Sequence, residues 1–183
     1  MAGSLDQPRT MSDIKPDILP DVLAPGLKAW FVGTAPGPRS AAVGAYYAHG
    51  GNRFWRALHE AGITPMRLAP HDYPKLMEHG VGLTDFCKTS WGIDSAIDPK
   101  LFDVAGFRQK VSRLKPRALA FTSKASAALW LNRKTGGIAI GRQDEDPRRG
   151  PIAFVLPTPS GLATSYWSIE PWRELSRWLS QQT

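Results

Sequence analysis

The stretch between Lys28 and Ala61 constrains the fold more than any other part of the chain. It opens with a short apolar run, Ala29 to Val32, that is typical of a buried strand. The run ends at GTAPGP, Gly33 to Pro38, where glycines and prolines disfavour a helix and bring bare backbone to the strand end. A second loop, Gly44 to Asn52, then carries two tyrosines and a histidine. We therefore expect a pocket lined by amides and aromatic rings at the end of this strand.

The rest of the chain alternates strand-like and helix-like segments. The strand-like segments are Arg117 to Thr122, Ile138 to Ile140 and Ile152 to Leu156, and Gly80 to Cys87 is typical of a strand end or a tight loop. The helix-like segments are Asn52 to Gly62, His71 to His79, Phe102 to Leu114, Lys124 to Asn132 and Ser168 to Leu179. This alternation predicts an α/β fold, a three-layer sandwich with a short central, mostly parallel β-sheet flanked by helices. Ligands of such folds bind beyond the carboxyl ends of the strands.

Composition narrows the functional classes. The polar, proline-containing residues 1–20 predict a flexible arm, and residues 21–183 predict a single domain. A net charge of +7 favours an anionic partner, and nucleic acid fits it well. The single cysteine, Cys87, excludes an internal disulfide and a four-cysteine cluster. No apolar run is long enough for a membrane span, so we expect no membrane contact and a cytoplasmic location, associated with the nucleoid if the protein is bacterial. We also expect a monomer.

Two separated motifs carry a family resemblance. The first, within Val22 to Pro65, combines APGLK before the strand, GxxPG after it, and AH-x-x-NRFW-x-x-L-x-x-AG. The second, LPTPSGL, runs from Leu156 to Leu162. Together they resemble the mismatch-specific uracil-DNA glycosylases, a branch of the uracil-DNA glycosylase superfamily. The resemblance implies a monofunctional enzyme that removes uracil from double-stranded DNA, typically opposite guanine, without metal or cofactor.

The same resemblance directs attention to particular residues. Tyr47 aligns with the aromatic residue that stacks on uracil, although the adjacent Tyr46 is an alternative platform. Leu162 matches the apolar wedge that fills the gap left by an everted base. The predicted base-binding residues are Gly33, Thr34, Ala35, Pro36, Gly37, Tyr47, His49, Asn52 and Thr158. The predicted DNA-binding residues are Ser123 and Lys124, which open a helix, and Pro159, Ser160, Gly161 and Leu162. For each of these residues a purely structural role is the competing interpretation.

The chain departs from the family at the catalytic position. Close relatives read GINPG, where the asparagine positions the attacking water, but this chain has Ala35. Thr158 also replaces an asparagine. We predict that Asp85, in GLTDF, takes over catalysis, because a carboxylate can orient or deprotonate water and stabilise a positive sugar. Ser40 is the second predicted catalytic residue, contacting water or the scissile phosphate. The fallback carboxylates are Asp72, Asp94 and Asp98.

Three other functions remain open from the sequence. Loss of the asparagine is compatible with a protein that binds uracil-containing or damaged DNA with little turnover. A changed pocket is also compatible with excision of hypoxanthine or xanthine. An α/β nucleotide-binding protein is the third possibility, but the chain lacks both G-x-G-x-x-G and G-x-x-x-x-G-K-[ST].

Overall fold

One five-stranded sheet forms the centre of the molecule. The computed structural model describes residues 15–143, 150–162 and 165–182. The strands are β1 (Ala29–Gly33), β2 (Val81–Asp85), β3 (Ala118–Phe121), β4 (Gly141–Arg142) and β5 (Ile152–Val155), in the order β2-β1-β3-β5-β4. β1, β2, β3 and β5 are parallel, and only the two-residue β4 pairs antiparallel to its neighbour. The four parallel strands therefore end at the same edge.

Helices cover both faces of this sheet. The α-helices are α1 (Pro38–Val43), α2 (Phe54–Glu60), α3 (Val104–Leu114), α4 (Lys124–Leu131) and α5 (Glu170–Ser180). Short 3₁₀ helices lie at Pro70–His79, Asp94–Ala96, Pro99–Leu101 and Thr135–Gly137. Among the described residues, none of the helices is long and apolar enough to cross a membrane. The predicted α/β fold with a mostly parallel central sheet is confirmed.

Alternate residues of the strands build two apolar layers. Phe31 of β1 faces α2 and α5, where its ring lies 5.3 Å from Phe54 and 5.9 Å from Trp172, centroid to centroid. The preceding residue, Trp30, points to the opposite face and packs edge-on against Phe107 of α3 at 6.2 Å. Both strand residues are fully buried. The period of two along β1 thus places one helical layer on each side of the sheet.

The observed elements differ from those expected from the sequence at three places. The strand predicted at Ile138–Ile140 is wrong: Ile138 is buried beside α4, and sheet pairing is limited to Gly141–Arg142. The short helix predicted at His71–His79 is present as a 3₁₀ helix, Pro70–His79, with Pro74 in its interior, where proline disfavours an α-helix. Helix α1 was not predicted, since its six residues show no apolar periodicity.

A buried ion-pair network joins the start of the described chain to the sheet and α3. Asp21 accepts hydrogen bonds from Lys88 Nζ at 2.8 Å, Lys110 Nζ at 2.6 Å and Thr84 Oγ1 at 2.7 Å. Leu19, two residues earlier, is fully buried. Most of the predicted arm, residues 1–14, lies outside the described residues, as does most of the loop between β4 and β5. Packing against the domain therefore includes the last residues of the segment predicted as an arm.

Candidate functional site

A cavity of about 710 Å³ opens at the carboxyl edge of the parallel strands. The segment after β1, the loop before α2 and the loop after β5 all line it. The predicted site residues that line it are Gly33, Thr34, Ala35, Pro36, Gly37, Ser40, Tyr47, His49, Asn52, Asp85, Ser123, Thr158, Pro159, Ser160, Gly161 and Leu162. Lys124 is the one predicted site residue that does not line the cavity.

The two motif loops are in direct contact. The backbone N–H of Arg53 donates to the Pro159 carbonyl at 2.8 Å, and its guanidinium donates to the Ser160 carbonyl at 3.2 Å. Gly161 lies so close to Gly51 that a Cβ at position 161 would lie 2.8 Å from the Gly51 carbonyl oxygen. The glycine of PSGL is therefore needed for the close approach of the loops, which bring both motifs to one site.

The first motif packs tightly against the end of β2. Gly33 is the register partner of Asp85 in the parallel β1–β2 pair. A Cβ on Gly33 would overlap the Asp85 Oδ1 atom, so only glycine fits there. The N–H groups of Phe86 and Cys87 donate to the carbonyls of Gly33 and Thr34 at 3.2 and 2.8 Å. These contacts hold the backbone at the end of β2 against the first motif, where Asp85 lines the cavity.

Asp85 is a buried carboxyl group with unused hydrogen-bonding capacity. Its exposed fraction is 5%, and Oδ2 has no hydrogen-bond partner among the described residues. Burial raises the pKa of Asp85 to about 7, with Asp21 and Asp94 adding to the effect and Lys88 opposing it. The group therefore exchanges its proton near neutral pH, a property that clusters at functional sites.

Tyr47 presents an aromatic face to the cavity from a strained backbone position. Its φ of 53° lies in the left-handed region, which residues other than glycine rarely adopt. One face of the ring stacks on Phe54 at 3.9 Å between centroids and 14° between planes. The hydroxyl is 3.1 Å from Thr122 Oγ1, which in turn donates to the Val32 carbonyl. Burial, followed by the nearby Asp85 charge, raises the pKa of Tyr47.

Tyr46 is held differently. Its side chain is almost completely buried, and its hydroxyl donates to the Pro20 carbonyl at 3.1 Å and accepts from Lys88 Nζ at 3.2 Å. Burial raises the pKa of Tyr46 as well. The half-buried Tyr47 therefore offers the more accessible ring of the two.

Three polar residues shape the aromatic loop through short-range hydrogen bonds. Ser40 Oγ accepts from the Ala48 N–H at 3.1 Å, and His49 Nδ1 accepts from the Gly51 N–H at 3.1 Å. Asn52 Oδ1 accepts from the Phe54 N–H at 2.9 Å, at the start of α2. Each side chain still lines the cavity while it supports the loop.

The second loop carries an exposed leucine. Leu162 is 91% exposed at the cavity mouth, which excludes the alternative of a buried leucine in a turn. Hydroxyl groups brace the loop, because Thr158 Oγ1 accepts from the Ser160 N–H and Ser160 Oγ from the Leu162 N–H, both at 3.4 Å. Next to this loop, Ser123 caps α4 by accepting from the Ser126 N–H at 3.1 Å.

The structure also reveals cavity residues that sequence reasoning missed. Thr122 was absent from the predicted site, although its place at the carboxyl end of a predicted buried strand was a usable signal. Asp94, a fallback carboxylate, lines the cavity and accepts from the Thr34 hydroxyl. The other two fallbacks lie outside it: Asp72 binds Lys75, and Asp98 accepts from the Lys100 N–H.

These features define an α/β protein with a ligand cavity at the carboxyl ends of its parallel strands. The family model described as the Uracil DNA glycosylase superfamily matches residues 20–179, so the chain belongs to that superfamily. The fold is similar to the NMR structure of a candidate uracil DNA glycosylase from Methanosarcina acetivorans, with 24% identity and a TM-score of 0.61. That match covers 91% of this chain and 99% of the other. The predicted superfamily is confirmed.

Proposed function

We propose that this protein is a monofunctional uracil-DNA glycosylase that acts on double-stranded DNA. The observation that carries the proposal is a buried carboxyl group, Asp85, with a free oxygen in a cavity formed by both motif loops. Within the superfamily, the mismatch-specific branch is supported by GxxPG and PSGL. The proposed substrate is duplex DNA with uracil opposite guanine, bound by a monomer.

The cavity supports recognition of an everted base. DNA must present the nucleotide outside the stack, because the glycosidic bond is inaccessible within a duplex. The free face of Tyr47 would stack on uracil, since Phe54 covers the other face. The backbone of the Gly33–Gly37 segment, together with His49, Asn52 and Thr158, would bind the edges of the base.

Catalysis would depend on Asp85, because Ala35 has no polar side-chain atom. The ionised carboxylate would orient a water molecule and accept its proton while the water oxygen bonds to C1′ of deoxyribose. The N-glycosidic bond would break, and its electron pair would leave with uracil. The carboxylate would also stabilise positive charge on the sugar. Ser40, which lines the same cavity, would contact the water or the scissile phosphate.

The exposed loop would stabilise the opened duplex. Leu162 would fill the gap left by the everted nucleotide, and Pro159, Ser160 and Gly161 would set its position. Ser123 and Lys124, at the N-terminus of α4, would contact a phosphate. No motif places a lysine for a Schiff base with the sugar, so the product would be an intact abasic strand.

Single-turnover assays on a G·U duplex, with alkali to reveal abasic sites, test the proposal. We expect excision by the wild type, and a loss of about 10²-fold or more in Asp85→Asn with DNA affinity retained. Asp72→Asn removes a carboxylate outside the cavity and is the matched control. Retention of uracil DNA by the wild type without any abasic product would instead identify a binding protein.

A second candidate, excision of hypoxanthine or xanthine, has one observation in its favour. A carboxyl with a pKa of about 7 can donate a proton to a departing purine, which a fully ionised carboxylate cannot. The two functions predict opposite pH profiles. Uracil excision should rise as pH increases through about 7, whereas acid-assisted purine excision should fall over the same range.

A further inference from the structure

A second apolar feature stands at the mouth of the cavity, away from Leu162. Trp91 and Ile93 are 52% and 62% exposed, although both are large apolar residues. Gly92 and Ile93 line the same cavity as Leu162. We refer to residues 91–94 as the tryptophan lip. Such side chains beside a ligand cavity call for an explanation, because their exposure has no benefit for folding.

The tryptophan lip is anchored to the cavity wall. The Gly92 N–H donates to the Pro36 carbonyl at 2.9 Å, and the Thr34 hydroxyl donates to the Asp94 carboxylate. Ile97, just beyond the lip, is buried. These contacts tie the lip to the GTAPG segment, so Trp91 and Ile93 are displayed by a fixed loop.

The lip and Leu162 belong to loops that follow different strands of the sheet. The lip follows β2, at one edge of the sheet, while Leu162 follows β5. Three strand spacings separate those two strands, which corresponds to ~14 Å between their ends. An everted nucleotide that enters the cavity would therefore pass between two apolar points.

We propose that the tryptophan lip is a second DNA contact, in which Trp91 stacks on the base next to the everted nucleotide. Ile93 extends the apolar surface toward the cavity. The inference rests on the proposed function. Its chemical basis is that eversion deprives both neighbouring bases of a stacking partner. Leu162 would cover one of these bases, and an aromatic side chain can cover the other whatever the base. The net charge of +7 favours DNA as a partner of the chain as a whole.

The test measures affinity for duplexes that contain 2′-fluoroarabino-uridine, whose glycosidic bond resists hydrolysis. We expect Trp91→Ala to weaken binding about tenfold, Trp91→Phe to retain most of it, and Ile93→Ala to weaken it about threefold. Met66→Ala is the matched control, since Met66 is 62% exposed and does not line the cavity. It should bind as the wild type does.

Removing the neighbouring base gives the decisive comparison. Two further duplexes carry a tetrahydrofuran residue, which has no base, on the 5′ or the 3′ side of the uridine. If Trp91 stacks on a neighbour, one of these duplexes should bind the wild type and Trp91→Ala equally. A tenfold difference that persists on both duplexes would overturn the proposal, and so would a Trp91→Ala variant that binds like Met66→Ala.

Two other results separate the possible failures. A wild type that neither binds nor cleaves uracil DNA would refute the proposed function itself. Normal wild-type activity together with unchanged affinity in Trp91→Ala would refute only the proposed DNA contact of the tryptophan lip. Sedimentation measurements on the wild type and Trp91→Ala test the other possible occupant of the tryptophan lip, a second copy of the chain. A wild-type dimer that the substitution dissociates would overturn DNA as the occupant.

Discussion

Asp85 should make the stability of the protein depend on pH. Burial raises its pKa from 3.8 to about 7, so between these values the folded protein holds a proton that the unfolded chain has released. The free energy of unfolding therefore falls as pH rises through this window. In Asp85→Asn this loss is absent, and the stability of the variant relative to wild type should grow by ~2–4 kcal/mol from pH 4 to pH 8.

Urea denaturation at a series of pH values measures this difference. Asp72→Asn is the control, because hydrogen bonds from Lys75 and the Ala69 backbone lower the pKa of Asp72 and its replacement should bring no such growth. Asp21 does not overlap the window: burial acts to raise its pKa, but Lys88 and Lys110 lower it overall. Parallel stability curves for Asp85→Asn and the wild type would show that Asp85 is not held as described.

The two adjacent tyrosines show where residue-level prediction stops. The family resemblance favoured Tyr47 as the aromatic platform before α2, but it left the adjacent Tyr46 as an alternative. The distinction comes from partners remote in the chain: Lys88 and Pro20 hold the Tyr46 hydroxyl, while Thr122 holds that of Tyr47. Asp94 was likewise only a fallback, because its contact with Thr34 joins segments 60 residues apart.

At the scale of elements, Arg53 links the start of α2 to the wedge loop, residues 158–162. Its backbone and guanidinium bind two carbonyls of that loop, and the guanidinium also lies 5.3 Å from the ring centroid of Trp167. Arg53→Met keeps the backbone bond and removes the other two contacts. We expect the equilibrium constant for uracil eversion to fall about tenfold, because Leu162 would no longer be held in place.

The measurement is the fluorescence rise of 2-aminopurine placed next to uracil, which reports base eversion on binding. Arg56→Met is the matched control, because Arg56 lies in the first turn of α2 and pairs with the exposed Glu60, at 3.3 Å. Both variants should unfold at similar urea concentrations. An unchanged fluorescence amplitude in Arg53→Met would show that the wedge loop is positioned without this arginine.

Elements were predictable where a single physical rule controls them. Continuous apolar runs at Ala29–Val32 and Arg117–Thr122 mark buried parallel strands, and the structure confirms both. Helix α1 is too short for apolar periodicity, so the sequence contains no signal for it. The strand predicted at Ile138–Ile140 failed because Ile138 is buried in the apolar cluster that also contains Ala127 of α4, rather than by pairing in the sheet. A short apolar run predicts that its residues are buried, but it does not predict which element covers them.

At the scale of the whole molecule, the parallel sheet explains why two distant motifs meet. Each motif follows a strand, and parallel strands end at one edge, so their convergence was expected from the sequence. The contacts between the loops were not, because Gly51 and Gly161 are 110 positions apart and their approach depends on strand order. The alternation of elements indicates the shared edge but leaves the order of strands undetermined.

The charge of the molecule leads to a prediction for Lys124, which opens α4 outside the cavity. A net charge of +7 predicts that DNA affinity falls as the salt concentration rises, and two phosphate contacts would reduce the affinity about tenfold between 50 and 200 mM salt.

If Lys124 contacts a phosphate, Lys124→Ala should weaken binding to all duplexes alike and lower the slope of log K against log salt by about 1. Lys134→Ala, an exposed lysine beyond the other end of α4, is the control and should leave the slope unchanged. Equal slopes for both variants would show that the phosphate contacts lie elsewhere and that Ser123 and Lys124 serve only to begin the helix.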